Sequence, residues 1–201
     1  EIGSLGEMKF PEDNPYSEEK KNLGKTLFFD PRLSGSKQIS CASCHDPELG
    51  WADGRRVSYG HDRQTGIRNS ITLLNVGYAD KIMWDGRAMT LEDQVSFPMN
   101  DTKELNIHPK IAAKNINKIK EYRPMFEKAF GDSEITMERI AKAIATFERT
   151  IVSRKTKFDK FISGDSTQFS DKEILGMHLF RTKARCINCH NGPLFSDGQF
   201  H

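Results

Sequence analysis

The chain has 201 residues, and its 30 Lys and Arg against 28 Asp and Glu leave a formal net charge of +2. That balance is too small to argue for a nucleic-acid partner, and no basic run stands out. No stretch of roughly eighteen or more apolar residues occurs, so nothing reads as a membrane span, and Glu1 with no charged-then-apolar leader after it fits a mature, exported chain.

In chain order, a first helix is expected to open at Ser17 and carry Leu23 and Leu27 inward. Residues 30–40 and 51–69 are rich in Gly, Asp, Ser and Arg and read as loops long enough to be functional. Thr90 and Asp93 mark a short helix start. Ile140, Ile144, Phe147 and Ile151 fall on one face of a helix over about 134–152. Ser170, three residues before Glu173, reads as a capping box opening one more helix. The fold class expected is all-α.

Between these elements the pentapeptide Cys-x-x-Cys-His occurs twice, as Cys41-Ala42-Ser43-Cys44-His45 and Cys186-Ile187-Asn188-Cys189-His190, and uses all four cysteines. This is the attachment signature of c-type haem, one per motif. Two thiols one helical turn apart can each form a thioether with a haem vinyl group, and the adjacent imidazole reaches the iron. Rival uses are weaker. A zinc ribbon normally brings its two knuckles closer in sequence, and a redox dithiol needs no histidine after it.

The repetition runs beyond the motifs. Leu23-Gly24-Lys25-Thr26-Leu27-Phe28 precedes the first and Leu175-Gly176-Met177-His178-Leu179-Phe180 the second, while Trp51-Ala52-Asp53-Gly54 is answered by Phe195-Ser196-Asp197-Gly198. An internal duplication of one haem-binding design is the economical explanation. Only eleven residues follow His190, so the second domain is expected to be incomplete here, finished by further chain or by a separate polypeptide. Haem attachment of this kind belongs to the oxidising side of a membrane, so the bacterial periplasm is the expected location. An iron that reacts with peroxide must open one coordination position beside acid–base groups. Candidate sixth ligands are His61, Met83, Met89, Met99 and His108, although a Met at an apolar position is usually packing and a His in a polar loop is usually solvated.

Leu27-Phe28-Phe29-Asp30-Pro31-Arg32-Leu33-Ser34, the first haem motif, Gly60-His61, Gly66-Ile67-Arg68-Asn69 and Trp84-Asp85-Gly86-Arg87-Ala88 together resemble the bacterial dihaem cytochrome c peroxidases over nearly the whole chain. The resemblance implies two cytochrome c-like domains, each with one covalent haem. Residues 1–160 would hold the peroxidatic low-potential haem, and 161–201 would begin the domain of the electron-transferring high-potential haem. It implies His45 as proximal ligand, His61 as a distal ligand that leaves the iron on activation, Glu104 as acid–base catalyst, and Gln94 as its pocket partner. Trp84 would help electrons cross between the haems, Cys186, Cys189 and His190 would hold the high-potential haem, and Asn69 would bind a calcium ion at the domain interface. Glu104 has a physical case of its own. Splitting a peroxide O–O bond needs a proton moved from the inner to the outer oxygen, which a carboxylate held over the iron can do.

The implied reaction is reduction of hydrogen peroxide to water with electrons from a small periplasmic cytochrome c or cupredoxin, in a homodimer. Residues 191–201 also resemble the methylamine-utilisation dihaem enzymes (MauG), which oxidise a partner protein and lack a distal histidine. His61 therefore favours the peroxidase. A plain electron-transfer dihaem cytochrome would keep both irons six-coordinate and leave Glu104 idle.

Overall fold

The computed structural model describes residues 2–201; Glu1, the expected mature start, lies outside the described residues. The chain forms two compact units, Lys9–Val152 and Ser153–His201, the second joined by the segment ending at Met8. Among the described residues there are helices, 3₁₀ turns and isolated bridges but no strand, so the all-α expectation holds.

In the first unit α1 (Glu18–Phe28) starts where its sequence signal lies, with the Ser17 side chain accepting from the Lys20 amide at 3.1 Å. Two short helices, α2 (Leu91–Gln94) and α3 (Ser96–Asn100), follow, and Thr90 caps the first by accepting from the Asp93 amide. Then come α4 (Pro109–Asn117), α5 (Tyr122–Phe130) and α6 (Met137–Arg149). The expected long helix is thus present, trimmed at each end, because Thr136 caps it and Thr150 closes it.

The core is built on α6. From Ile140 onward almost every residue of α6 is buried, with Ala141, Ala143 and Ala145 alternating with Ile144 and Phe147. These small residues let neighbouring backbones approach. A Cβ placed on Gly24 of α1 would overlap the carbonyl oxygen of Ala143, so only glycine permits the α1–α6 contact. Leu23, Leu27, Phe28, Ile140 and Ile144 are fully buried at that contact, and each contributes roughly 1.5–3 kcal/mol by leaving water.

Two polar ties hold α2 and α5. The Glu92 carboxylate of α2 accepts both arms of the Arg149 guanidinium at 2.6 and 2.9 Å and the Asn14 side-chain amide at 2.8 Å. Asp30, ahead of the Pro31–Leu33 turn, accepts from Arg32 at 2.6–2.9 Å and from the Tyr122 hydroxyl of α5 at 2.5 Å.

The second unit contains α7 (Lys157–Ile162) and α8 (Asp171–Arg181). The expected box at α8 is present, with the Ser170 amide and hydroxyl both donating to Glu173. Phe161 and Phe169 stack with ring centroids 4.3 Å apart, and Phe158 meets Phe195 edge-on. No described side chain of this unit is fully buried.

Burial alone would raise the Asp30 carboxyl, but the bonds from Arg32 and Tyr122 outweigh it and hold it below its ordinary range. A depressed carboxylate stabilises the fold above its unfolded pKa, and that contribution fades as pH falls through the folded value. Tyr122→Phe is expected to cost about 1–3 kcal/mol at neutral pH. The difference should shrink below about pH 4, as read by urea unfolding at several pH values.

Candidate functional site

The first motif folds as one 3₁₀ turn, Cys41–Ser43, with the Cys44 and His45 amides both donating to the Cys41 carbonyl at 3.1 and 3.0 Å. The turn sets Cys41, Cys44 and His45 on the wall of one pocket. Ile39, Val95, Pro98, Leu105 and Ile144 supply an apolar lining, and Gln94, Glu104 and Glu148 the polar groups.

His45 is fixed in one tautomer. Its Nδ1 lies 3.2 Å from the Trp51 carbonyl and 3.2 Å from the Ser70 hydroxyl, which itself donates to the Cys44 carbonyl at 2.6 Å. Nδ1–H therefore donates, and the lone pair is left on Nε2. Burial pushes the imidazole pKa down against the bond to Trp51, which keeps the ring neutral as metal ligation requires. Burial, and then Glu148, push the Cys41 thiol up to about 12, and burial raises Cys44 as well. A redox dithiol needs the opposite shift.

These residues fit a tethered haem: a pair of thiols one turn apart, a neutral imidazole with Nε2 available, an apolar lining, and a buried Glu148 Oε2 without a hydrogen-bond partner.

Gln94 comes from the end of α2 and Glu104 from the loop after α3. Burial first, and then Asp101, raise the half-buried Glu104 carboxyl, while Arg87 opposes them. The Glu104 carbonyl accepts from the His61 amide at 2.8 Å. A Cβ on Gly60 would collide with the Lys103 carbonyl and the Glu104 backbone, so the Gly-His pair is a place of forced close approach. Gly60 lines the pocket but His61 does not. The His61 Nε2 faces Asp62 at 3.3 Å, and its buried Nδ1 has no partner.

The other expected site residues lie elsewhere. Trp84 is 54% exposed and donates its indole N–H to the Asn69 carbonyl at 2.8 Å, while the Asn69 side chain donates to the Arg55 carbonyl. Met99 is in the core, Met83 packs on a small cluster with Ile82, and Met89 is exposed. His108 caps α4 by accepting from the Lys110 amide.

The second motif repeats the first in detail. The Cys189 and His190 amides donate to the Cys186 carbonyl at 3.3 and 2.8 Å, and the His190 Nδ1 lies 3.1 Å from the Phe195 carbonyl. Trp51 and Phe195 hold the matching left-handed conformation, φ 62° and 53°, and Gly54 and Gly198 share φ 65°. The aromatic residue of each copy thus turns its carbonyl onto the imidazole. Glu148 was missed by the sequence reading; its signal was a carboxylate one turn past Ile144 on the buried stripe of a helix.

The profile of the di-haem cytochrome c peroxidase family matches residues 18–167. The chain belongs to that family. It is 40% identical over 193 residues to a methylamine utilization protein MauG of Methylophilus methylotrophus, covering 95% of this chain and 58% of that protein. It is 42% identical over 179 residues to a cytochrome c551 peroxidase of Nitrosomonas europaea, covering 89% and 53%. A crystal structure of a MauG-like protein associated with microbial copper homeostasis superposes with a TM-score of 0.86 at 31% identity, over 98% of this chain and 60% of that one. The chain therefore spans between half and three fifths of these relatives.

Gly60→Ala is expected to push the Lys103–Glu104 segment away and cost about 1–3 kcal/mol through overpacking, visible as a lower urea midpoint. An unchanged midpoint would mean that the close approach carries no strain.

Proposed function

We propose that the full-length protein is a periplasmic dihaem peroxidase that reduces hydrogen peroxide to water with electrons from a small cytochrome c or cupredoxin. The observation that carries this reading is a single pocket lined by a neutral, carbonyl-anchored imidazole, a pair of thiols and the half-buried carboxyl of Glu104. Cys41 and Cys44 would tether one haem with His45 as its ligand, and Cys186, Cys189 and His190 a second. The haem of the first pocket would supply the electrons that peroxide takes up.

The remaining work falls to side chains. Glu104 takes the proton from the inner peroxide oxygen and returns it to the outer one, which leaves as water. Burial raises its carboxyl toward the range in which it both accepts and donates. Gln94 orients peroxide by hydrogen bonds and shuttles no proton. His61 is not among the residues that line the pocket, which leaves the pocket open to peroxide, and its role as a ligand that leaves the iron on activation rests on the family resemblance. The exposed Trp84 indole suits a relay for incoming electrons, and Asn69 is offered as one ligand of a calcium ion. A homodimer is the proposed assembly.

A MauG-like enzyme acting on a partner protein is the second reading, favoured by the 40% identity to a MauG protein. Oxidation of a reduced small cytochrome c by peroxide, on the haem-loaded full-length protein with and without prior partial reduction, separates the two. Turnover is expected to appear or rise after reduction, and its absence in both states would favour the MauG-like reading. Glu104→Gln should lower turnover by about 10²–10⁴-fold with the haem spectrum unchanged. A parental rate would leave Glu104 idle, as in an electron carrier. His61→Gly should alter the spectrum of the oxidised low-potential haem, and an unaltered spectrum would remove His61 from the iron.

A further inference from the structure

The pocket contains an ionisable group that the proposed peroxide chemistry does not use. Glu148 is 4% exposed, stands on the last turn of α6 beyond the pocket-lining Ile144, and itself lines the pocket. Its Oε2 is buried with no hydrogen-bond partner. A carboxyl in that condition is seldom tolerated unless it is paired or kept neutral. Arg149, its sequence neighbour, does not pair with it, because that guanidinium is committed to Glu92 through both arms. The groups acting on Glu148 are Arg149 of its own helix and Glu92 of α2, and Glu148 in turn acts on Cys41 of the attachment turn. Trp51, Ile71 and Asp53 are what act on His45 besides burial.

We propose that Glu148 is a redox-linked proton site, which binds a proton when the haem tethered at Cys41 and Cys44 is reduced and releases it on oxidation. The proposal rests on the haem reading of this pocket. Glu148 takes its proton from solvent as the electron from the donor protein converts iron(III) to iron(II), so charge in the pocket is conserved. In a water-poor interior, adding negative charge beside a carboxylate favours its protonated form, because the repulsion is little screened. Burial pushes the Glu148 carboxyl up to about 8, with Arg149 opposing and Glu92 adding to the rise. The group is thereby poised between its charged and neutral forms.

The test is a spectroelectrochemical titration of the lower-potential haem in the haem-loaded full-length protein between about pH 6 and about pH 9, a window centred on the shifted carboxyl. The parent's potential is expected to fall as pH rises, since ionised Glu148 stabilises the oxidised haem. Glu148→Gln should flatten that dependence, with a potential that lies above the parent's at alkaline pH and meets it at acid pH. A variant that tracks the parent, or is displaced equally at every pH, would overturn the proposal, as would a flat parent. Glu148→Leu serves if the Gln variant takes up no haem. Reduction of the weakly buffered parent, followed with a pH indicator, should draw protons from solution, and no uptake would overturn the proposal without any variant. A parent that binds no haem at Cys41 and Cys44 would instead overturn the reading on which the proposal stands.

Discussion

Much of the first unit is organised by what α6 permits to approach it. Its alanines bring the α1 backbone against its own at Gly24, and its last turn carries both Arg149, which holds α2, and Glu148, which faces the pocket. One helix thus sets the depth of the core and the position of one pocket wall. Displacing it would move Gln94 with α2 and Ile144 with the lining, so packing and site geometry are one constraint.

The two Cys-x-x-Cys-His turns show how little backbone the motif needs. Three residues in a 3₁₀ turn align the thiols, and an aromatic residue in the left-handed region five or six positions beyond the histidine turns a carbonyl onto the imidazole. The left-handed conformation is costly for such side chains, and its occurrence at both Trp51 and Phe195 ties the strain to the shared task. In the first unit the turn is sealed under Phe28, Trp51 and Phe147, whose rings meet edge-on. Burial of the His45 ring lowers its pKa and favours the neutral imidazole.

The polar residues of the pocket come from separate segments that meet only in the folded chain. Gln94 ends a one-turn helix, Glu104 follows another, and the Gly60 loop presses on the second. His61 holds that arrangement through its backbone, and its ring stands apart from the lining.

Local signals carried much of this. Ser17, Thr90 and Ser170 marked helix starts because capping is a short-range hydrogen bond. The Ile140, Ile144 and Phe147 stripe marked α6 because burial follows the helical period. The motif and its repeat announced two attachment turns of one geometry, because the tether lies within a few consecutive residues. Tertiary structure alone decided that Glu148 faces a cavity without a partner, that His61 stands off the pocket, and that Gly24 and Gly60 are contact points. Each of these depends on what a distant segment places within a few ångströms, and neither spacing nor composition along the chain encodes that distance.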